Sequence, residues 1–264
     1  MSKSNTNNSL NGWNILKYII SRLILCLLIF CCAFISDMPS KTINFAAEPS
    51  KETISCVFYN AQEFKKSYSS ILKKTDLHSR FVKGGILPHH LVAAPMIAEF
   101  FSALSSHTPE TIFILGPNHK RIGNRPIQTT GADWDTPCGV MKADKSKVEK
   151  LKTFTEAQEN TALFEQEHSI SALVPYISHT FPETKIVPIL IHGNISRSET
   201  KKLARYLSEE QDDTSLILAS VDFSHNLTPQ KALKNDEYTL GLIEKRQYEA
   251  IFNLSNEYID APPT

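Results

Sequence analysis

The chain has 264 residues, of which 41 % are apolar, and it carries 28 basic and 28 acidic side chains. This length suits one large domain or two small ones, and the apolar share suits a buried core. The balanced charge gives no electrostatic case for binding nucleic acid, and the lack of GxGxxG and GxxxxGK[ST] motifs disfavours a phosphate-binding loop.

The N-terminal segment differs from the rest of the sequence. Leu23 to Ile35 is an uncharged apolar run, and Lys17 and Arg22 precede it. The run is shorter than the about 20 residues of a bilayer span and suits the apolar region of a secretory signal. Counted from Trp13, the same segment would be long enough for a membrane anchor. Residues 1–52 are therefore predicted to be a signal peptide or membrane anchor followed by a linker, in an exported or membrane-anchored protein.

Helical and strand patterns alternate through the rest of the chain. Strands are predicted at 83–88, 111–117, 185–191 and 214–225. Helices are predicted at 61–74, 91–106, 145–158, 168–181, 196–210 and 229–253. The strands are continuous apolar runs, which is typical of a sheet that is buried on both faces. The predicted fold class is α/β, with a central, mostly parallel or mixed sheet and helices on both faces.

Polar residues collect where the predicted strands end. In open α/β sheets, ligands bind beyond the carboxyl ends of the strands. The side chains expected at this edge are His89, His90, His119, His192, Asp222 and His225, and the "EQEHS" stretch with His168 opens a helix beside them. Imidazole is a common metal ligand, and two histidines with one carboxylate form the usual non-haem Fe(II) set. Any one of these histidines could equally be structural or exposed, and no local spacing decides between the alternatives.

Six stretches of the sequence, in this order, carry a family resemblance. They are "ILPHH", "IFILGPNHK", "DWDTPCGVMKAD", "EHSISALVPYI", "IVPILI" and "SVDFSH". They resemble the Memo family, which is called AmmeMemoRadiSam system protein B in bacteria and archaea. That family is similar in fold to the LigB-like extradiol dioxygenases. The resemblance implies a Memo-like domain over residues 53–264. Relatives continue with a further helix and strand, so the domain is expected to be truncated at its C-terminus.

The resemblance also implies a site and its chemistry. It implies a mononuclear metal, with Fe(II) favoured and copper or zinc as alternatives. The C-terminal ligand of the family is often a cysteine, and Asp260 takes its place here. Two sets of residues follow, the metal ligands His89, His119 and Asp260 and the catalytic residues His225, Asp222 and His168. Within the second set, the two histidines are expected to act as acid and base and Asp222 to orient His225.

Two functions are open at this point. One is a metal-dependent oxidoreductase that uses O2 on a small molecule or a peptide, and the carboxylate of Asp260 favours it. The other is a non-catalytic adaptor that binds a metal or a peptide, and Ser171 favours it, because relatives have glutamate there. Radical SAM and AMMECR1-like proteins are the partners implied by the resemblance. The "DTPCGVMKAD" stretch, which contains Cys138, is expected to shape a β-loop over the pocket, and His90 is expected to be exposed.

Overall fold

The computed structural model describes residues 53–71, 82–105 and 108–260. All of them belong to the unit that runs from Pro49 to Thr264. The predicted signal or anchor segment lies outside the described residues. Among the helices that are described, none has the length and apolar character needed to cross a membrane.

The described strands form one mixed sheet. They are β1 (Thr53–Ser55), β2 (Gly84–Leu87), β3 (Thr111–Pro117), β4 (Ile127–Thr129), β5 (Asp133–Thr136), β6 (Gly139–Ala143), β7 (Gln158–Glu159), β8 (Lys185–Ile191) and β9 (Ser215–Ser220). The order across the sheet is β1-β5-β6-β8-β3-β9-β2, and β4 pairs with both β7 and β8. All neighbours run parallel except the pairs β5 with β6 and β4 with β8. The prediction of a mixed, mostly parallel sheet is confirmed.

The described helices follow the predicted ones closely. They are α1 (Ala61–Ser69), α2 (Ala94–Leu104), α3 (Lys145–Thr155), α4 (Thr161–Gln166), α5 (His168–Ser171), α6 (Val174–Thr180), α7 (Arg197–Glu210), α8 (Pro229–Glu244) and α9 (Tyr248–Phe252). The predicted helix 168–181 is divided into α5 and α6. Pro175 lies in the first turn of α6, where its missing N–H leaves no intrahelical hydrogen bond unmade.

Helices cover both faces of the sheet, as predicted. Alternate side chains of β3 point into opposite cores, because successive residues of a strand face opposite sides. Ile112 and Ile114 belong to the core that includes residues of α2 and α6, such as Phe101 and Ile177. Phe113 belongs to a second core, which contains residues of α3 and α7. The central strand is therefore buried on both sides, which holds its carboxyl end in a fixed position.

The segment after β9 leaves the sheet earlier than predicted. The strand ends at Ser220 rather than at residue 225. Beyond it, Ser224 donates its backbone N–H to Asp236 of α8 over 3.0 Å, and Phe223 forms an isolated bridge with Ile259. This bridge brings the last described residues next to the end of β9.

The hairpin of β5 and β6 does not cover the carboxyl edge of the sheet with its turn. Lys142 of β6 pairs with Lys185, the first residue of β8, so the turn lies on the side where β8 begins. Cys138 in this turn places its Sγ 3.9 Å from Nδ1 of His179, near the end of α6. The prediction that this turn covers the metal pocket is therefore wrong.

Candidate metal site

Three histidines meet at the carboxyl edge of the sheet. His89 follows β2, His119 follows β3 and His168 begins α5. Each offers a ring nitrogen, and the three nitrogens lie within 4.8 Å of one another. The ring centroids are 5.3 Å apart for His89 and His119 and 4.6 Å apart for His119 and His168. These residues, here called the histidine site, are placed so that together they can hold a metal ion.

A glycine in β3 lets the third histidine come close. A Cβ atom at Gly116 would lie only 2.8 Å from Oγ of Ser169, so a larger residue would push α5 away from the strand. Ser169 Oγ donates to the carbonyl of Pro117 over 2.8 Å and ties the start of α5 to the end of β3. As a result, the ring of His168 stacks on that of His119 at an interplanar angle of 19°.

The ring of His89 is oriented by two serines. Ser220 Oγ donates its hydrogen to the carbonyl of Ser169, and it lies 3.1 Å from Nδ1 of His89. Since that hydroxyl hydrogen is used, the serine oxygen accepts from Nδ1–H of the histidine. In the neutral ring this leaves Nε2 with its lone pair. That nitrogen is buried and makes no hydrogen bond in the described part of the chain.

The surroundings of His89 Nε2 fit a cation. It lies 3.6 Å from Oδ2 of Asp222 and 3.5 Å from Oδ2 of Asp260. Donor atoms bound to one metal at about 2.1 Å lie about 3.0–3.4 Å from one another. A buried nitrogen lone pair that faces two carboxylate oxygens at nearly this spacing is favourable only when positive charge lies between them.

His119 is held by a carboxylate at each ring nitrogen. Nδ1 lies 2.8 Å from Oε1 of Glu167, and Nε2 lies 2.5 Å from Oδ2 of Asp260. Burial lowers the pKa of this histidine, but the hydrogen bonds to Asp260 and Glu167 outweigh it and raise the pKa to about 9. Without a metal, His119 therefore keeps a second proton at neutral pH, and a cation that binds Nε2 must displace it.

Glu167 holds the residues of the histidine site in place through its carboxylate. Its carboxylate accepts hydrogen bonds from the backbone N–H of His119 at 2.8 Å and of Ser169 at 3.1 Å. It also lies 3.2 Å from Nδ1 of His168. Burial raises the pKa of this carboxyl, but its bonds to His119, His168 and Ser169 hold the pKa well below its usual range. The glutamate thus stays charged and directs Nε2 of His119 towards the site.

The two aspartates are positioned by the loop that follows β9. Asp222 Oδ1 accepts from the backbone N–H of His89 at 3.0 Å, and the carbonyl of Asp222 accepts from the N–H of Asp260 at 2.9 Å. Burial raises the pKa of Asp260, but His119 and His89 hold it well below its usual range. The predicted ligands His89, His119 and Asp260 are therefore brought together.

The other residues named from the sequence lie in different places. His168 was expected to act as an acid or base, and it lies within the histidine site itself. His225 is exposed, and its Nδ1 lies 3.2 Å from the carbonyl of Phe223. Asp222 contacts His89 and shows no hydrogen bond to His225 among the described residues. His90 is exposed, as expected, and its Nδ1 accepts from Val92 N–H at the start of a 3-10 turn.

Glu167 is the residue to which sequence reasoning gave no role. Its signal was an acidic residue directly before a short helix, the position from which a side chain accepts helical N–H groups. Glu167 does cap α5 through Ser169. That pattern also occurs in many helices without a metal nearby, so it could not by itself point to His119.

A polar cleft borders the histidine site. It has a volume of about 370 Å³. It is lined by Asn118, His119, Arg121, His192, Gly193, Asn194, Asn256 and Asp260. Since the cleft is lined by His119 of the histidine site and by Asp260, which contacts His119, a metal at the site would be reached from this cleft.

Comparison with known proteins gives the family. Residues 53–260 match the family described as Memo-like protein. The chain belongs to this family. It is 29 % identical over 182 residues to a MEMO1 family protein of Pyrobaculum aerophilum, a match that covers 66 % of this chain and 64 % of the relative. A MEMO1 family protein of Aquifex aeolicus is 28 % identical over 181 residues, covering 67 % and 66 %. The chain thus spans just under two thirds of the length of these Memo-like relatives.

Proposed function

We propose that this Memo-like protein is a metal-dependent oxidoreductase with one Fe(II) ion at the histidine site. The observation that carries the proposal is Nε2 of His89, a buried nitrogen without a hydrogen-bond partner among the described residues. It faces the carboxylates of Asp222 and Asp260. A buried nitrogen lone pair and two carboxylates are unfavourable where no positive charge lies among them, because each of them needs a cation or a proton donor.

Two members of the histidine site, His89 and His119, would hold the ion together with Asp260, while His168 would lie beside the ion without binding it. Two imidazoles and one carboxylate are typical of non-haem Fe(II) sites with open coordination positions. Copper and zinc accept the same ligands, so the donor set favours iron without excluding them. Glu167 and Ser220 would act behind the ligands, since each bonds Nδ1 of one histidine and leaves its Nε2 directed at the ion.

The residues of the chain would supply positioning and proton transfer. When bound, iron would supply electron transfer between a substrate and O2. His168 is the candidate acid or base, because its side chain is 38 % exposed and its Nδ1 is held 3.2 Å from Glu167. That contact fixes the ring while leaving it open to solvent, as a group that exchanges protons with a substrate requires. Asp222 would keep His89 in place through its backbone N–H.

A second function uses the same site without turnover. Ser171 is fully buried and donates its hydroxyl to the carbonyl of Glu167 over 2.5 Å. At this position the side chain stabilises the turn of α5 and adds no carboxylate to the site. A protein that binds a metal or a peptide as an adaptor would not need that carboxylate.

The first experiment is metal analysis of protein purified without oxygen and reconstituted with Fe(II). We expect about one metal ion per chain in the wild type. His89→Ala should lose it, because the unpartnered nitrogen is removed. His90→Ala is the matched control, since the neighbouring ring is exposed and bonds Val92. Wild-type protein that takes up no iron, copper or zinc would refute the proposal.

O2 consumption then separates the two functions. An oxidoreductase should consume O2 in the iron-loaded form when supplied with a reducing organic substrate, and His168→Ala should slow consumption while keeping the metal. A protein that keeps its iron and never consumes O2 with any compound of a broad panel supports the adaptor function.

A further inference from the structure

The polar cleft beside the histidine site is rich in hydrogen-bond donors and carries one unpaired cation. The guanidinium of Arg121 makes no hydrogen bond or ion pair with any described residue, although it lines the cleft. Asn118, Asn194 and Asn256 contribute amides, and Gly193 contributes backbone. The two rings among the residues that line it are the polar imidazoles of His119 and His192, and none of these residues has an aliphatic, phenyl, phenol or indole side chain. Such a lining does not suit an apolar ring.

The backbone that carries Arg121 is held in an unusual conformation. Its φ is 53°, in the left-handed region that residues with a Cβ rarely adopt. The turn is closed by its N–H, which donates to the carbonyl of Asn118 over 3.1 Å. The amide of Asn118 donates to the carbonyl of Ile122 over 2.8 Å and braces the same turn. Strained backbone that is braced in this way is typical of residues kept in place for binding.

The opposite wall of the cleft comes from the end of β8. His192 N–H donates to the carbonyl of Pro126 over 2.8 Å, and His192 Nδ1 accepts from Asn194 N–H over 3.1 Å. In the neutral ring, this leaves Nε2–H as the donor. The N–H of Asn118 bonds the carbonyl of Ile191 over 2.8 Å, which fixes the distance between the two walls.

We propose that this cleft binds a small polar carboxylic acid, with its carboxylate on Arg121 and its other end directed at the histidine site. Guanidinium pairs with a carboxylate through two parallel hydrogen bonds. Asp260 lines the same cleft, so a single negative charge is favoured over the double charge of phosphate. The volume of about 370 Å³ lies at the small end of the range for ligand pockets.

This inference deepens the proposed function, since it names the substrate class, but the test does not depend on the metal. Glutaramate, which has one carboxylate and one amide, and its neutral analogue glutaramide are titrated by calorimetry into metal-free and zinc-loaded protein. We expect glutaramate to bind both forms and glutaramide to bind neither. Zinc uptake is measured separately, so a chain that binds glutaramate and no metal loses the proposed function and keeps this one.

Arg121→Gln should weaken glutaramate binding about tenfold to a hundredfold, because a charge-assisted pair is lost. Arg121→Lys keeps the charge and loses the fork, so it should restore only part of the affinity. Lys120→Gln is the matched control, since it removes the same charge from an adjacent exposed residue outside the cleft lining. It should change the affinity less than twofold.

Three results would overturn the proposal. The first is equal weakening by the Arg121 and Lys120 variants, which would indicate general charge attraction. The second is tighter binding of inorganic phosphate than of glutaramate, which would assign the cleft to phosphate compounds. The third is no binding of glutaramate to the wild type in either form.

Discussion

Two groups of aromatic rings among the described residues contain histidine, and they differ in what surrounds it. In the histidine site, His119 contacts a carboxylate at both ring nitrogens. In the second group, here called the aromatic cluster, His179 packs against Phe64 and Tyr68 with centroids 5.4 Å and 4.7 Å away. Its described polar contact is Cys138 Sγ, at 3.9 Å. The same residue type is therefore charged and oriented in one place and packed in the other.

The difference shows that neighbours rather than residue type decide what a histidine does. Phe64 is 7 % exposed and lies at the centre of the aromatic cluster. Its centroid is 4.8 Å from that of Tyr176 and 5.1 Å from that of Tyr68. Burial raises the pKa of Tyr68 to about 12, so its hydroxyl stays neutral at all physiological pH values. This region contributes packing.

The largest expected effect comes from removing the central ring of the aromatic cluster. Phe64→Ala should lower the free energy of unfolding by about 3–5 kcal/mol, because it removes a buried ring and leaves a cavity. Urea unfolding measures this loss, and Phe64→Leu should cost less. Metal content per folded chain should be unchanged in both variants. A Phe64→Leu protein that folds normally and has lost its metal would show that the two regions are not independent.

The next effect concerns the histidine site and the carboxylate that contacts His119. Glu167→Gln replaces the buried carboxylate behind His119 with a neutral amide. Metal affinity should fall by about 10–100-fold, the usual cost of losing such a partner. Competition with a chromogenic chelator measures the affinity. Glu165→Gln, two residues earlier and partly exposed, is the matched control and should leave the affinity unchanged.

The last effect is a pH dependence that the histidine site should show. The pKa of His119 is raised to about 9 in the metal-free protein, so below that pH each bound ion must displace a proton. Apparent affinity should therefore rise by about tenfold for each pH unit from 7 to 9 and then level off. Zinc titrations over this range measure the slope. A plateau already reached at pH 7 would contradict the raised pKa.

The fold was largely predictable because its signals are local. β3 and β8 have the bounds predicted from continuous apolar runs, Thr111–Pro117 and Lys185–Ile191. The helix predicted at 168–181 is divided, and Pro175 lies in the first turn after the break. The strands β1, β4, β5, β6 and β7 were not predicted, since runs of two to five residues carry little usable pattern.

The site was predictable only in part. His89 and His119 followed from strand ends, because parallel strands bring their carboxyl ends to one edge. The positions of the carboxylates were harder to predict, since the bridge between Phe223 and Ile259 determines where Asp260 lies. That bridge joins segments that are distant in sequence and has no local signature. The roles expected for His225 and Asp222 stay predictions, although these two residues do not contact each other in the described hydrogen-bond network.

The pairing of the strands also determines when the site can exist. β2 pairs with β9, and His119 meets Asp260, which lies 141 residues further along the chain. A nascent chain still emerging from the ribosome has both histidines long before it has the aspartate. Domains fold as units during synthesis, so early segments wait for their late partners. The proposed ligand set can therefore form only after Asp260 has been made and its segment has bridged to the end of β9.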